Sequence, residues 1–175
     1  MTTTRSIDFS TLTLRDALDL AILVEEEARD RYEEFAYQMA LHHNDESARF
    51  FRFMFQVESS HEHRLLERRR KLFGSERGMV TREMIFDIEA PEYDDVRATM
   101  SERQALETAL HAEEKAFLFF DKALPRVHDA DVKALFTELR DEEAEHQAKV
   151  KEHLGRLGPD SPIDPEDLGD EPVAH

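Results

Sequence analysis

The chain has 175 residues, a formal net charge of −17, 40% apolar and 36% charged residues, and no cysteine. That composition fits one domain with one sizeable core. The acidity disfavours nucleic acid and anionic membranes as partners, since both require a basic face, and the lack of thiols excludes disulfides, thiolate zinc sites and iron–sulfur centres.

Long stretches lack both glycine and proline and carry helical periodicity. The first predicted helix covers about 13–43, capped by Thr13 with Asp16, or alternatively by Ser10. Leu14, Leu18, Ala21, Ala28, Tyr32, Phe35, Ala36 and Met39 form its apolar stripe. Asn44 and Asp45 interrupt the pattern and offer a cap for a second helix over about 46–73. Its stripe includes Phe51, Met54, Phe55 and Leu65, and Gly74 marks its end. Residues 74–100 read as a long connection with one short helix around Met84–Ile88. Ser101 with Gln104 forms a capping box that opens a third helix over about 101–124. Asp129 caps a fourth over about 130–156. The segment 158–175 is acidic and contains proline, and is expected to be a disordered tail behind a folded unit spanning 1–157. The N-terminal segment has no apolar stretch of the signal-peptide kind, and no run approaches the about 18 apolar residues that span a bilayer. The expected location is the cytoplasm.

Short loops inside each helix pair imply antiparallel neighbours, and one long crossover in the middle is the ferritin-like arrangement. The fold class is therefore all-α: an antiparallel four-helix bundle with a long connection between helices two and three. The two halves also resemble each other. Glu25-x-x-Ala28-x-x-x-Tyr32 recurs as Glu113-x-x-Ala116-x-x-x-Phe120, and the spacing of Phe51, Glu58 and His61 recurs in Phe136, Glu143 and His146.

Residues three, four and seven apart share a helix face. On that test Glu25 lies among Leu18, Ala21, Ala28 and Tyr32, whereas Glu26 lies among Asp19, Arg29, Asp30 and Glu33. Glu113 lies among Leu106, Ala109, Leu110, Ala116, Phe117 and Phe120. Glu58 follows Phe51, Met54 and Phe55, and Glu143 follows Phe136 and Leu139. Each of these last two glutamates has a histidine three residues later on the same face, His61 and His146. Burying an ionised carboxylate without a partner costs several kcal/mol, on the order of a buried ion's desolvation. No cationic side chain on these stripes balances all four, Arg140 being the nearest. Two divalent cations would balance four carboxylates, and two neutral imidazoles would add nitrogen donors.

One Glu from each of two helices, with Glu-x-x-His from each of the other two, is the donor pattern of ferritin-like di-iron and di-manganese proteins. The chain resembles the rubrerythrin and bacterioferritin branch of that superfamily over roughly Leu14 to Leu154. The segment Glu25-Glu26-Glu27-Ala28-Arg29-Asp30-Arg31-Tyr32 looks like the first-helix signature of rubrerythrins. The resemblance implies a metal centre of two irons, or manganese, held by Glu25, Glu58, His61, Glu113, Glu143 and His146. Glu58 and Glu143 would bridge, Glu25 and Glu113 would be terminal, and each histidine would cap one metal. Two features depart from rubrerythrins. The rubredoxin domain's cysteines are missing, so electrons come from a separate donor protein or from substrate. Ala116 stands where rubrerythrins carry a further glutamate, which makes the six-residue set nearer to that of bacterioferritin.

The implied function is a di-iron oxidoreductase that oxidises Fe(II) and reduces hydrogen peroxide or dioxygen, working as a homodimer. Iron storage or sensing is the alternative reading, and a metal-free structural bundle a third. Tyr32 is either a redox tyrosine beside the metals or ordinary core. His42, His43, His63, His111, His128 and His153 are expected at the surface or at helix ends, with an outer supporting role open to His153.

Overall fold

A computed structural model describes residues 7–76, 78–82, 84 and 101–157. Four long helices occupy nearly all of them: α1 Leu14–Leu41, α2 Asp45–Phe73, α3 Glu102–Ala123 and α4 Ala130–Arg156. No strand occurs among the described residues. α1 packs chiefly along α2, and α3 along α4, as the short connections require. The short helix expected around Met84–Ile88 lies outside the described residues apart from Met84, and the expected acidic tail at 158–175 lies wholly outside them. No described helix is long and apolar enough to cross a membrane.

The expected caps are present. Thr13 Oγ1 accepts the Asp16 N–H at 3.2 Å, which settles the choice between Thr13 and Ser10. Asn44 Oδ1 accepts the Ser47 N–H at 3.2 Å, so Asn44 is the cap and Asp45 the first helical residue. Ser101 and Gln104 exchange both bonds of the capping box, and Asp129 Oδ1 accepts from Asp131 and Val132. One feature was not expected. After Ala123 the chain tightens into a 3₁₀ turn, Leu124–Arg126, with Pro125 near its start.

The stretch after α2 is tied to the start of α1. Gly74 ends α2 with φ +57°, a left-handed value that glycine adopts without penalty. Beyond it, Arg69 donates to Asp19 Oδ1 at 2.6 Å, to the Gly74 carbonyl at 3.3 Å and to the Glu76 carbonyl. Asp16 Oδ1 accepts the Met79 N–H at 2.9 Å. Gly78 passes so close to α1 that a Cβ there would lie 1.8 Å from Asp19 Oδ2.

The apolar core falls into two clusters. One joins Leu18, Leu20, Val24, Leu65, Phe120, Leu135, Phe136 and Leu139. The other joins Tyr32, Phe35, Met39, Phe51, Met54, Leu106 and Val150. On every helix the residues between the two clusters include the glutamates singled out above. Each helix thus crosses one polar layer at mid-height, with oil above and below.

Candidate metal centre

Glu25, Glu58, Glu113, Glu143 and His146 are all buried, and their neighbours Glu26 and Glu114 are not. The bundle brings the six expected donors together. His61 Nδ1 lies 3.7 Å from both Glu25 Oε2 and Glu58 Oε2. His146 Nδ1 lies 3.1 Å from Glu58 Oε1, 3.3 Å from Glu113 Oε2 and 3.6 Å from Glu143 Oε2. The two imidazoles stack, with ring centres 5.1 Å apart. Glu58 therefore divides its oxygens between a His61 half and a His146 half.

These donors carry an unmet electrostatic need. Glu25 Oε2, Glu58 Oε1 and the Nδ1 atoms of His61 and His146 are buried and make no well-directed hydrogen bond. Leaving such atoms unsatisfied costs about 1–3 kcal/mol each, more when charged. Their lone pairs converge on shared space, which a cation would satisfy simultaneously. Donor atoms of Glu58, His61 and His146, and separately of Glu113, Glu143 and His146, lie within 4.8 Å of one another. Carboxylate oxygen and imidazole nitrogen suit iron or manganese, so the residues fit a pair of such ions.

Without cations, protons are the remaining charge balance. Burial pulls the His146 ring down, but the carboxylates of Glu113, Glu58 and Glu25 outweigh it and raise the ring to about 9. Burial pushes Glu113 up, yet His146, Glu143 and Arg31 outweigh that and lower it to about 2. Glu58 is held well above the ordinary carboxylate range, by burial first and then by Glu25, Glu113 and Glu143, against the opposing His146.

Tyr32 is fully buried, and its hydroxyl donates to Glu113 Oε1. Burial, then Glu113 and Glu58, raise the phenol well above its usual range, so it keeps its proton. Ala116 is buried on α3 and contributes no donor. Arg140 does not compensate the core glutamates: it pairs with Asp141 at 2.8 Å and with Asp121 at 3.6 Å, outside the layer. Arg31, next to Tyr32 in sequence, is buried, and its charge acts on both Tyr32 and Glu113.

Glu142 was not picked out from the sequence, and His153 was given no more than an open supporting role. Glu142 Oε2 lies 3.7 Å from His61 Nδ1, and Glu25, His61 and Glu142 form a third donor group. His153, expected at the surface or a helix end, is buried at the end of α4. It stacks on Phe50 with ring centres 4.3 Å apart, and its Nε2 lies 3.3 Å from Ser47 Oγ. It sits seven residues beyond His146, on the same face but one cluster removed from the centre. His42, His43, His63, His111 and His128 are exposed as expected.

Comparison with known proteins gives a consistent result. The family model described as rubrerythrin matches residues 16–154. The crystal structure of an uncharacterized conserved protein from Magnetospirillum magnetotacticum MS-1 is similar, with a TM-score of 0.71 and 26% sequence identity. The similarity covers 87% of this chain and 100% of that one. No curated protein matches.

Proposed function

Because the chain belongs to the rubrerythrin family, we propose that it is a di-iron carboxylate oxidoreductase that oxidises Fe(II) and reduces hydrogen peroxide or dioxygen. The observation that carries this reading is the convergence of buried, unsatisfied carboxylate and imidazole atoms at one level of the bundle. Glu25, Glu58 and His61 would hold one ion, and Glu58, Glu113, Glu143 and His146 the other. The division of Glu58 between the two halves supports its role as a bridge; Glu143, which the family pattern would make a second bridge, lies against His146. Two ferrous ions held there would supply the two electrons that, with two protons, reduce hydrogen peroxide to two waters.

The protein's own groups set the conditions for that exchange. The apolar clusters above and below the layer limit water. His146, whose ring the surrounding carboxylates raise to about 9, gives up its proton when the ions enter. Tyr32 holds its proton on the bond to Glu113 and stands where a redox tyrosine could give up one electron, its proton passing to the carboxylate. With no cysteine among the 175 residues, the electrons for re-reduction would come from a separate donor protein or from substrate. Anaerobic loading with Fe(II) followed by peroxide tests the proposal. Near-ultraviolet ferric absorption should appear as peroxide is consumed; protein that shows neither is not this enzyme.

A further inference from the structure

The centre is not equally enclosed on its two sides. The His146 side chain is 1% exposed, whereas His61 is 14% and Glu142 19% exposed. The less enclosed side is where α2 and α4 face each other, Arg64 pairing with Glu142 there. Glu142 precedes Glu143 on α4 and so points about 100° away from it, at 3.6 residues per turn. Its two oxygens serve different partners. Oε1 accepts a hydrogen bond from Arg64 Nη2, on a side chain that is 53% exposed. Oε2 faces His61 Nδ1 at 3.7 Å. On the inner side of the same imidazole atom, Glu25 Oε2 also stands 3.7 Å away. Glu25 is only 2% exposed, and this oxygen has no hydrogen-bond partner. Glu25, His61 and Glu142 thus bring three donor atoms within 4.8 Å of one another just beneath the less enclosed side.

Resting on the two-cation reading above, we propose that Glu142 is a gating ligand. It is a carboxylate shared between Arg64 and the His61 half of the centre, through which a divalent cation is admitted and then held with Glu25 and His61. A cation arriving from solvent meets the Arg64–Glu142 pair first. A partly exposed ion pair of this kind is weak, so the carboxylate transfers readily from the guanidinium to the metal. Arg64 competes with the cation for the same carboxylate, holding Oε1 while Oε2 faces His61, and the acidic surface attracts cations toward that side.

The competition separates this role from that of an ordinary surface ion pair. Losing either partner of a surface pair has the same small effect. In a gate, the two losses act oppositely. The test is anaerobic titration with Co(II), followed by its visible absorption at equilibrium and after rapid mixing, on the unaltered chain, Glu142→Gln and Arg64→Gln. The unaltered chain should take up two cations. In Glu142→Gln one cation should bind as before, while the other weakens about tenfold or more, on the scale of lost supporting contacts in metal sites, and enters more slowly. In Arg64→Gln that same cation should enter faster and bind a few-fold more tightly. Circular dichroism of the metal-free proteins checks folding. Should Glu142→Gln not fold, Glu142→Asp replaces it, with the same weakening expected. If the unaltered chain binds two cations and the variants match it, or both variants shift the same way, Glu142 is a surface partner only and the gate is overturned while the two-cation reading stands. If the unaltered chain binds fewer than two, the underlying reading fails, and the gate with it.

Discussion

Glu58 faces both imidazoles, so its loss should be felt in both halves of the centre. Glu58→Gln keeps the shape and removes the charge, and both cations should weaken by about tenfold or more in a metal titration. Tyr32→Phe removes the donor to a buried carboxylate. Its metal-free form should lose about 1–3 kcal/mol of stability in denaturant unfolding and still bind two cations, while the time course of the peroxide reaction changes if Tyr32 is redox-active. The pH dependence follows from His146, whose folded value is raised from 6.5 to about 9. Its stabilising contribution to the metal-free protein is complete below pH 6.5 and is lost as pH rises through about 9. Glu58, raised by burial, acts in the same direction. The melting temperature of metal-free protein should therefore fall between pH 6.5 and 9, and metal loading, which needs both groups deprotonated, should remove that slope and release protons at pH 7. The six donors could be read from the sequence because each has an apolar face around it, as the contrast between Glu25 and Glu26 shows. Glu142 could not. Its helical neighbours are Leu135, Glu138, Leu139, Glu145, His146 and Lys149, a mixed set, and only the placement of α2 beside α4 turns it toward His61. Arg31, among Val24, Glu27, Ala28, Glu34 and Phe35, was ambiguous for the same reason.

Caps decided where helices begin, and these were legible because Thr13, Asn44, Ser101 and Asp129 are side chains that bond their own backbone. Replacing Ser101 with Ala removes one bond of a capping box and should cost about 1 kcal/mol in thermal or denaturant unfolding, with no effect on metal uptake, since Ser101 lies about 18 Å along α3 from Glu113. The tie between α2 and α1 was not legible: nothing local shows that Arg69 reaches Asp19 fifty residues away. Gly78→Ala tests it. The added methyl would meet Asp19 Oδ2 at 1.8 Å, so the Asp19 carboxylate must move off Arg69 or the stretch after Gly74 must shift; that stretch should become more readily cleaved by protease, while metal uptake is unchanged.

At the scale of the bundle, the two apolar clusters hold the layer in place from both sides, and the metals would in turn hold the helices together. Chelation should therefore lower the melting temperature. A ligand at about a hundred times its dissociation constant adds about 2.7 kcal/mol per site, so reloading with Fe(II) or Mn(II) should restore it. Assembly size bears on the enzyme and storage readings: a dimer with two irons per chain favours turnover, while a large cage with many more irons favours storage. The four-helix architecture was legible because periodicity, caps and loop lengths all pointed to it, and the internal repeat fixed which positions correspond. The most direct test of the account is anomalous scattering at the iron edge from crystals grown with Fe(II) without oxygen. Two peaks about 3.5–4 Å apart, enclosed by Glu25, Glu58, His61, Glu113, Glu143 and His146, are the predicted result; peaks only at the protein surface, with those glutamates still turned inward and metal-free, would contradict it.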